Sequence, residues 1–139
     1  MANLIYNSAL DDMARGVIDF DTDTFKVVLV TSSYTPNKDT HDKRNDVTNE
    51  LPTGNGYTAG GNTVVCTVTK DTANDRVTIS FAATTWTNST ITARGAVYYK
   101  SRGGASSADE LVAYNDFNSD ITTSNNTFSL AASTLTLQN

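Results

Sequence analysis

From Gly61 to the C-terminus, the chain repeats one pattern that restricts the folds it can adopt. Short segments rich in Val, Ile, Thr, Tyr and Phe are separated by polar turns, about every 8–12 residues, which is typical of an all-β sandwich or barrel. We therefore predict one mainly β domain over residues 1–139. Its expected form is a jelly-roll-like β-sandwich with a short N-terminal helix and a long polar loop.

Composition agrees with this prediction. Hydrophobic residues make up 38% of the chain and charged residues 18%, and about one residue in six is Thr. Thr is β-branched and suits a pleated surface that is half exposed to water. A chain of this length is long enough to bury a core without disulfides.

The N-terminal residues 1–17 are expected to contain a helix over Asn7–Gly16. Ser8 is a suitable N-cap with Asp11 three residues later, and Gly16 fits the position just after the C-terminus. The predicted core face follows a spacing of three and four residues and consists of Leu10, Met13, Ala14 and Val17. The alternative is an N-terminal arm that becomes ordered only against a partner.

Phe25–Tyr34 is almost continuously apolar, which predicts a central strand buried on both faces. The polar stretch from residue 35 to residue 61 follows it. We expect a long loop there, with a possible short helix over Asp42–Leu51 that Pro52 ends. Loops of this length are uncommon in compact domains and are often binding arms or lids.

Together with Phe25–Tyr34, the segments of the second half predict about seven or eight strands. Thr63–Lys70 and Arg76–Phe81 flank a turn rich in Asp and Asn, which is a hairpin pattern. Ala93–Lys100 and Leu111–Phe117 are expected to pair across the loop Ser101–Glu110. The remaining expected elements are a strand and turn over Ala83–Ile91, a turn over Asn118–Asn126, and a last strand or pair of strands over Thr127–Gln138.

Charge argues against two classes of partner. The formal net charge is −5, whereas nucleic-acid binding requires a basic footprint and anionic membranes attract basic segments. No apolar run reaches the length of a membrane span, and the first 16 residues lack the pattern of a secretion signal. We therefore expect a soluble protein, made in a cytoplasm, without nucleic-acid or membrane partners.

The residues that could carry chemistry are few. Asp19, Asp21 and Asp23 could cage a calcium ion, but the rest of an EF-hand loop is missing, so a polar turn is favoured. His41 is the only histidine and is expected to be a solvated loop residue. Cys66 alternates with valines on a strand and is expected to be a core residue. The sequence also lacks nucleophile-elbow, phosphate-loop and dinucleotide motifs. We predict no enzyme activity, no cofactor and no metal site.

Aromatic and basic residues leave two interpretations open. Trp86 and the pair Tyr98–Tyr99 fit a core or an interface equally well, and the two tyrosines should point to opposite faces of their strand. Lys100 and Arg102 form the only basic spot in the second half. We expect a hairpin turn or a subunit contact there, in which both side chains reach carboxylates of a neighbouring chain.

Three segments carry a resemblance to a known group of proteins: "NSALDDMARGVIDFDTDTFKVVLVTSSYTPNKDTHD", "ITARGAVYYK" and "ELVAYNDFNSDITTSNNTFSLAASTLTL". Together they resemble small virion structural proteins of tailed bacteriophages, and most closely the capsid decoration or cement class. The shared motifs are structural and not catalytic. The resemblance covers most of the chain.

The resemblance implies a protein that is made in the host bacterial cytoplasm, binds the outer capsid surface, and stabilises contacts between subunits of the major capsid protein. It also implies a homo-oligomer, a dimer or a trimer, on the capsid. Two alternatives remain open, a neck or tail component and a sugar-binding host-attachment module with an exposed aromatic platform near Trp86. The predicted interface residues are Tyr34, Pro36, His41, Arg44, Tyr57, Trp86, Tyr99, Lys100 and Arg102.

Overall fold

The computed structural model describes residues 3–139 and is mainly β, with one α-helix in that range. The predicted β-sandwich is confirmed, whereas its assignment as a jelly roll stays a prediction. The elements are β1 Leu4–Ile5, α1 Asn7–Ala14, β2 Phe25–Val30, β3 Asn62–Val64, β4 Cys66–Asp71, β5 Arg76–Phe81, β6 Thr84–Ser89, β7 Thr92–Lys100, β8 Leu111–Thr122, β9 Asn126–Leu130 and β10 Ser133–Gln138.

The larger sheet has five strands in the order β1-β8-β7-β2-β3. Its centre is the predicted pairing of β7 with β8, in which Val97 lies opposite Tyr114. β2 pairs antiparallel with β7, and both faces of β2 are buried, as its continuous apolar run predicted. The strand ends at Val30, four residues before the predicted end at Tyr34, so Tyr34 belongs to the loop that follows.

Two smaller sheets complete the fold. β4 and β5 form the predicted hairpin, and β10 pairs with the other side of β5 to give the order β10-β5-β4. β6 pairs with β9 in a separate two-stranded sheet. The chain passes from the large sheet to the three-stranded sheet at Val65, between β3 and β4.

One face of the large sheet carries the main core, which contains a group of stacked aromatic rings. Phe20 lies 5.3 Å from Phe25, and Phe81 lies 4.7 Å from Tyr98, measured between ring centroids. Phe81 belongs to the three-stranded sheet and Tyr98 to the large sheet, so this contact joins the two layers.

The opposite face carries a second, smaller core. It contains Val28, Val97 and Tyr99 of the sheet, covered by Tyr6 and Tyr34 from the N-terminal segment and the long loop. Tyr98 and Tyr99 therefore do point to opposite faces, as predicted, and both are buried.

The helix begins at Asn7, two residues earlier than the predicted Ser8 cap would place it. Tyr6 is the N-cap, and the hydroxyl of Ser8 is buried without a hydrogen-bond partner among the described residues, so the prediction of a Ser8 cap is wrong. Burial of the Tyr6 ring in the second core sets this start. Gly16 follows the helix with a φ of 73°, as predicted.

The predicted core face of the helix is only partly correct. Ala9 is fully buried and Met13 packs against the main core, whereas Leu10 and Ala14 are exposed and Val17 is half-buried. The buried stripe therefore begins at Tyr6 and continues through Ala9 to Met13, in the frame set by the observed start.

The predicted helix over Asp42–Leu51 is wrong. One 3-10 turn, Arg44–Asp46, stands in its place, because the Asp46 carboxylate accepts hydrogen bonds from the backbone N–H groups of Asp42 and Lys43. The rest of the loop is irregular, but its backbone is tied to the large sheet. Leu51 N–H donates to the carbonyl of Leu29 over 3.0 Å.

The chain contains more strands than expected. Residues 3–139 form ten strands rather than seven or eight. The two extra strands are β1, which was not predicted, and β3, because the predicted strand Thr63–Lys70 is divided at Val65 into β3 and β4. β8 also continues to Thr122, through most of the segment predicted as a turn, and the turn itself is confined to 123–125. The C-terminal segment forms the two strands β9 and β10, which pair with different strands. No helix of residues 3–139 has the length and apolar character to cross a membrane.

We predict that Gly95→Ala destabilises the fold by about 1–3 kcal/mol, the usual cost of overpacking a core. A Cβ at this position would lie 2.5 Å from Cε2 of Tyr114 and 2.8 Å from the carbonyl oxygen of Asn115, so the buried Tyr114 ring would have to move. Urea unfolding measures the change. Gly104→Ala is the control, since a Cβ there meets nothing within 4 Å, and equal stability losses in both variants would contradict this packing.

Candidate functional site

Two adjacent carboxylates, Asp109 and Glu110, lie at the start of β8 and are each only 2% exposed. Arg44 Nε lies 2.9 Å from Asp109 Oδ2, and Arg102 Nη2 lies 2.6 Å from Glu110 Oε1. Lys43 Nζ is 3.6 Å from the same Glu110 oxygen. The group formed by Lys43, Arg44, Arg102, Asp109 and Glu110 is called the carboxylate joint below.

The backbone brings these side chains together. Lys43 and Glu110 form an isolated antiparallel bridge, and Arg44 N–H donates to the carbonyl of Asp109 over 2.9 Å. Arg102 N–H donates to Asp109 Oδ1 over 2.8 Å, which closes the β7–β8 loop onto its own end. The joint therefore fastens the long loop and the β7–β8 loop to each other.

The charges of the joint are mutually compensated. Burial alone would raise the pKa of Glu110, but the Arg102 hydrogen bonds and the nearby Lys43 charge outweigh it, and the pKa lies below its usual value. Arg44 also lies over the Tyr99 ring, with its Cζ 5.0 Å from the centroid. Burial raises the pKa of Tyr99 to about 12, so its phenol stays neutral.

The hypothesis that Lys100 and Arg102 reach carboxylates of a neighbouring chain has to account for partners within this chain. Lys100 Nζ lies 2.8 Å from Asp23 Oδ2 and donates to the carbonyl of Val17 over 2.6 Å. Arg102 donates twice to Glu110 through Nε, at 3.0 Å to each oxygen. Their contact with another chain stays a prediction, and it would require these bonds to be exchanged.

Four of the nine predicted interface residues are core residues. The side chains of Tyr34, Tyr57, Trp86 and Tyr99 are between 1% and 4% exposed, so in this conformation they have almost no surface to offer a partner. Tyr57 is held by its hydroxyl, which donates to Glu50 over 2.8 Å. Pro36, His41 and Arg44 are half-buried.

His41 is not the solvated residue that its polar sequence context predicted. Its Nδ1 lies 3.0 Å from the hydroxyl of Tyr34, and the two rings stack with centroids 5.8 Å apart. The Tyr34 hydroxyl in turn lies 2.8 Å from that of Tyr6. This chain of polar groups holds the long loop over the N-terminal segment.

The remaining candidates have structural roles. Asp19 accepts a hydrogen bond from Asp21 N–H and one from the Thr22 hydroxyl, which fits the favoured polar turn, and Asp23 is paired with Lys100. Residues 3–139 contain no group of three or more His, Cys, Asp or Glu that could hold a metal ion. Cys66 packs against the main core, and burial raises the pKa of its thiol to about 11, so the nucleophilic thiolate is disfavoured.

The three-stranded sheet presents a surface that we did not predict. Its outward face contains two rows of hydroxyl side chains that run across all three strands and include no charged residue, whereas the next row on that face is Asp71–Arg76–Gln138. The rows are Thr67–Ser80–Thr134 and Thr69–Thr78–Thr136. We call these six residues the hydroxyl face. The sequence signal was a Thr-x-Thr or Thr-x-Ser pattern in each strand, which puts both hydroxyl residues on one side.

Comparisons with protein families, with curated proteins and with solved structures find no match for this chain. We therefore infer the function from the geometry and charge of the molecule and from the sequence resemblance described above.

We predict that Glu110→Gln lowers the free energy of unfolding at neutral pH by about 2 kcal/mol. The reason is that Arg102 and Lys43 would lose their ion pairs with this buried carboxylate. Asp11→Asn is the matched control. Asp11 pairs with Arg15, and both side chains are more than half exposed, so its loss should cost less than about 1 kcal/mol.

The difference between wild type and Glu110→Gln should also depend on pH. The folded-state pKa of Glu110 is lowered, so the carboxylate stabilises the fold above its unfolded pKa of about 4.3. This contribution is lost as the pH falls through the lowered pKa. Urea unfolding at several pH values should show the two proteins converging below about pH 4. A stability difference that is constant from neutral to acidic pH would contradict this assignment.

Proposed function

We propose that this chain is a non-enzymatic structural protein of tailed-phage virions, which binds the outer surface of the capsid and stabilises contacts between major capsid protein subunits. The observation that carries the proposed contact is the hydroxyl face, two uncharged rows on a regular sheet that are bordered by the Asp71–Arg76 ion pair. Interface centres are depleted of charge, and hydroxyl groups can hydrogen-bond to a partner without the desolvation cost of an ion.

The ionisable groups support a structural role. Two buried carboxylates, Asp109 and Glu110, are paired with cations and hold two loops together. The only histidine is bonded to a tyrosine, and the only cysteine lies against the core. Catalysis by general acids and bases requires such groups to be available to a substrate. The proposal therefore assigns them to stability.

The sugar-binding alternative has less support from the structure than it had from the sequence. It required an exposed aromatic platform near Trp86, but Trp86 is 4% exposed and packs against Phe128 and Tyr57. Of the aromatic side chains, Phe117 is half-buried and the others are buried. A capsid-bound protein needs only an extended contact surface, since many symmetric copies can act together through weak individual contacts.

Copy number in purified virions tests the proposal. Quantitative mass spectrometry should give a ratio to the major capsid protein of one, or of a simple fraction such as one third. About a dozen copies per particle would indicate a ring at the neck or tail instead. Complete absence from the particles would contradict the virion assignment.

We predict that Thr78→Arg, at the centre of the hydroxyl face, reduces binding to capsids that lack this protein by at least about tenfold, the effect of roughly 1.4 kcal/mol. The reason is that an uncompensated charge would have to be buried in the contact. Thr127→Arg is the control, since Thr127 is an exposed strand residue of β9, outside the hydroxyl face. Pelleting of capsids with each variant measures binding, and thermal melting verifies the fold. Equal binding by Thr78→Arg and wild type would remove the hydroxyl face from the proposal.

A further inference from the structure

β10, at one side of the three-stranded sheet, pairs with β5 on one edge and with no strand of residues 3–139 on the other. Unpaired edges can bind another strand, and proteins usually prevent this with charges, proline, bulges or very short strands. β10 has none of these features, since its sequence is STLTLQ over six residues. β4, on the opposite side of the same sheet, carries Lys70 and Asp71.

The alternation of β10 makes this edge self-complementary. Thr134 and Thr136 belong to the hydroxyl face, whereas Leu135 and Leu137 point to the inner face with Ile79 and Val77, their partners on β5. Leu135 is 9% exposed, but Leu137 is 44% exposed beyond the edge of the core. Leu137 and Val77 also line an apolar groove of about 410 Å³ with Ile18 and Phe20.

We propose that β10 pairs antiparallel with β10 of a second copy of this chain, in the register that places Thr136 opposite Thr136. The two three-stranded sheets then form one six-stranded sheet across a two-fold axis. In this register each exposed Leu137 lies opposite Leu135 of the second copy, and Thr134 lies opposite Gln138 of the second copy. Apolar residues meet on the inner face and polar residues on the outer face.

The uncharged edge of β10, together with its self-complementary alternation, favours a second copy of this chain as the strand that pairs with it. β10 has no charged residue, so its approach to itself brings no like charges into direct opposition. On the hairpin, Arg76, which lies opposite Gln138, is paired with Asp71 over 3.0 Å. The net charge of −5 on each copy is spread over the surface and is screened at physiological salt. The pairing does not depend on the virion proposal, although it would double the hydroxyl face.

A single cysteine at the symmetry axis tests the register. Directly opposed residues of an antiparallel pair have Cα atoms about 4.5–5.5 Å apart, which suits a disulfide. In a Cys66→Ser background, Thr136→Cys should form a covalent dimer under mild oxidation. Thr134→Cys is the control, because the two copies of that residue would be roughly 13 Å apart, four residues along the strand. Equal or faster cross-linking of Thr134→Cys would overturn the register.

Sedimentation measures the dimer without a cross-link. Wild type should change with concentration from a 14.9 kDa monomer to a particle of twice that mass. Thr136→Asp opposes two like charges at the axis and should weaken the dimer at least tenfold. Thr69→Asp is the matched control, since Thr69 and Thr136 flank Thr78 in one row, on the two edge strands. A wild type that stays monomeric and a Thr136→Cys variant that fails to cross-link would together overturn the proposal.

These results separate the two proposals. Monomeric protein that still binds capsids would leave the virion assignment intact and show that β10 is not a self-pairing edge. Dimeric protein that is absent from virions would leave the self-pairing of β10 intact and contradict the virion assignment. Capture of a capsid-protein strand by β10, detected as a cross-link from Thr136→Cys to the capsid protein and not to itself, would also overturn self-pairing.

Discussion

The structure depends on one constraint, which is that the central strands of the large sheet are apolar on both faces. β2 and the neighbouring part of β7 bury nearly every side chain, so the sheet requires a cover on each side. The three-stranded sheet covers one face through the Phe81–Tyr98 contact, and Trp86 and Phe128 of β6 and β9 belong to the same core. No sheet of residues 3–139 covers the other face. The N-terminal segment and the long loop cover it instead, through Tyr6 and Tyr34.

This constraint explains why so much of the polar chemistry is internal. A cover made from irregular backbone has many unpaired N–H and C=O groups and little apolar surface, so other bonds must hold it in place. The carboxylate joint, the Tyr6–Tyr34–His41 chain and the hydrogen bond from Leu29 N–H to the Tyr57 hydroxyl each fasten the long loop at a different point. Ionisable residues such as Asp109 and His41 therefore help to attach this loop.

The sequence predicted what depends on near neighbours along the chain. The buried strand at Phe25–Val30, the β4–β5 hairpin and the β7–β8 pair follow from local patterns of apolar and turn residues. It could not predict contacts between distant segments. Arg44 and Asp109 are 65 residues apart, and no local pattern around either residue predicts that they pair. The Ser8 cap failed for the same reason, because burial of Tyr6 in a tertiary core decided where the helix starts.

Because large side chains of the long loop belong to the core, the surfaces of the sheets are the better candidates for contact with partners. The long loop was expected to be a binding arm, but several of its large side chains, including Tyr34 and Tyr57, point inward, and its Lys43 and Arg44 face carboxylates of the same chain. What remains outward and regular is the hydroxyl face and the uncharged edge of β10. Both surfaces are repetitive and symmetric in chemistry, which suits contact with other symmetric copies better than recognition of one small ligand. The hydroxyl face and the edge of β10 favour an assembly protein because both lack charged residues.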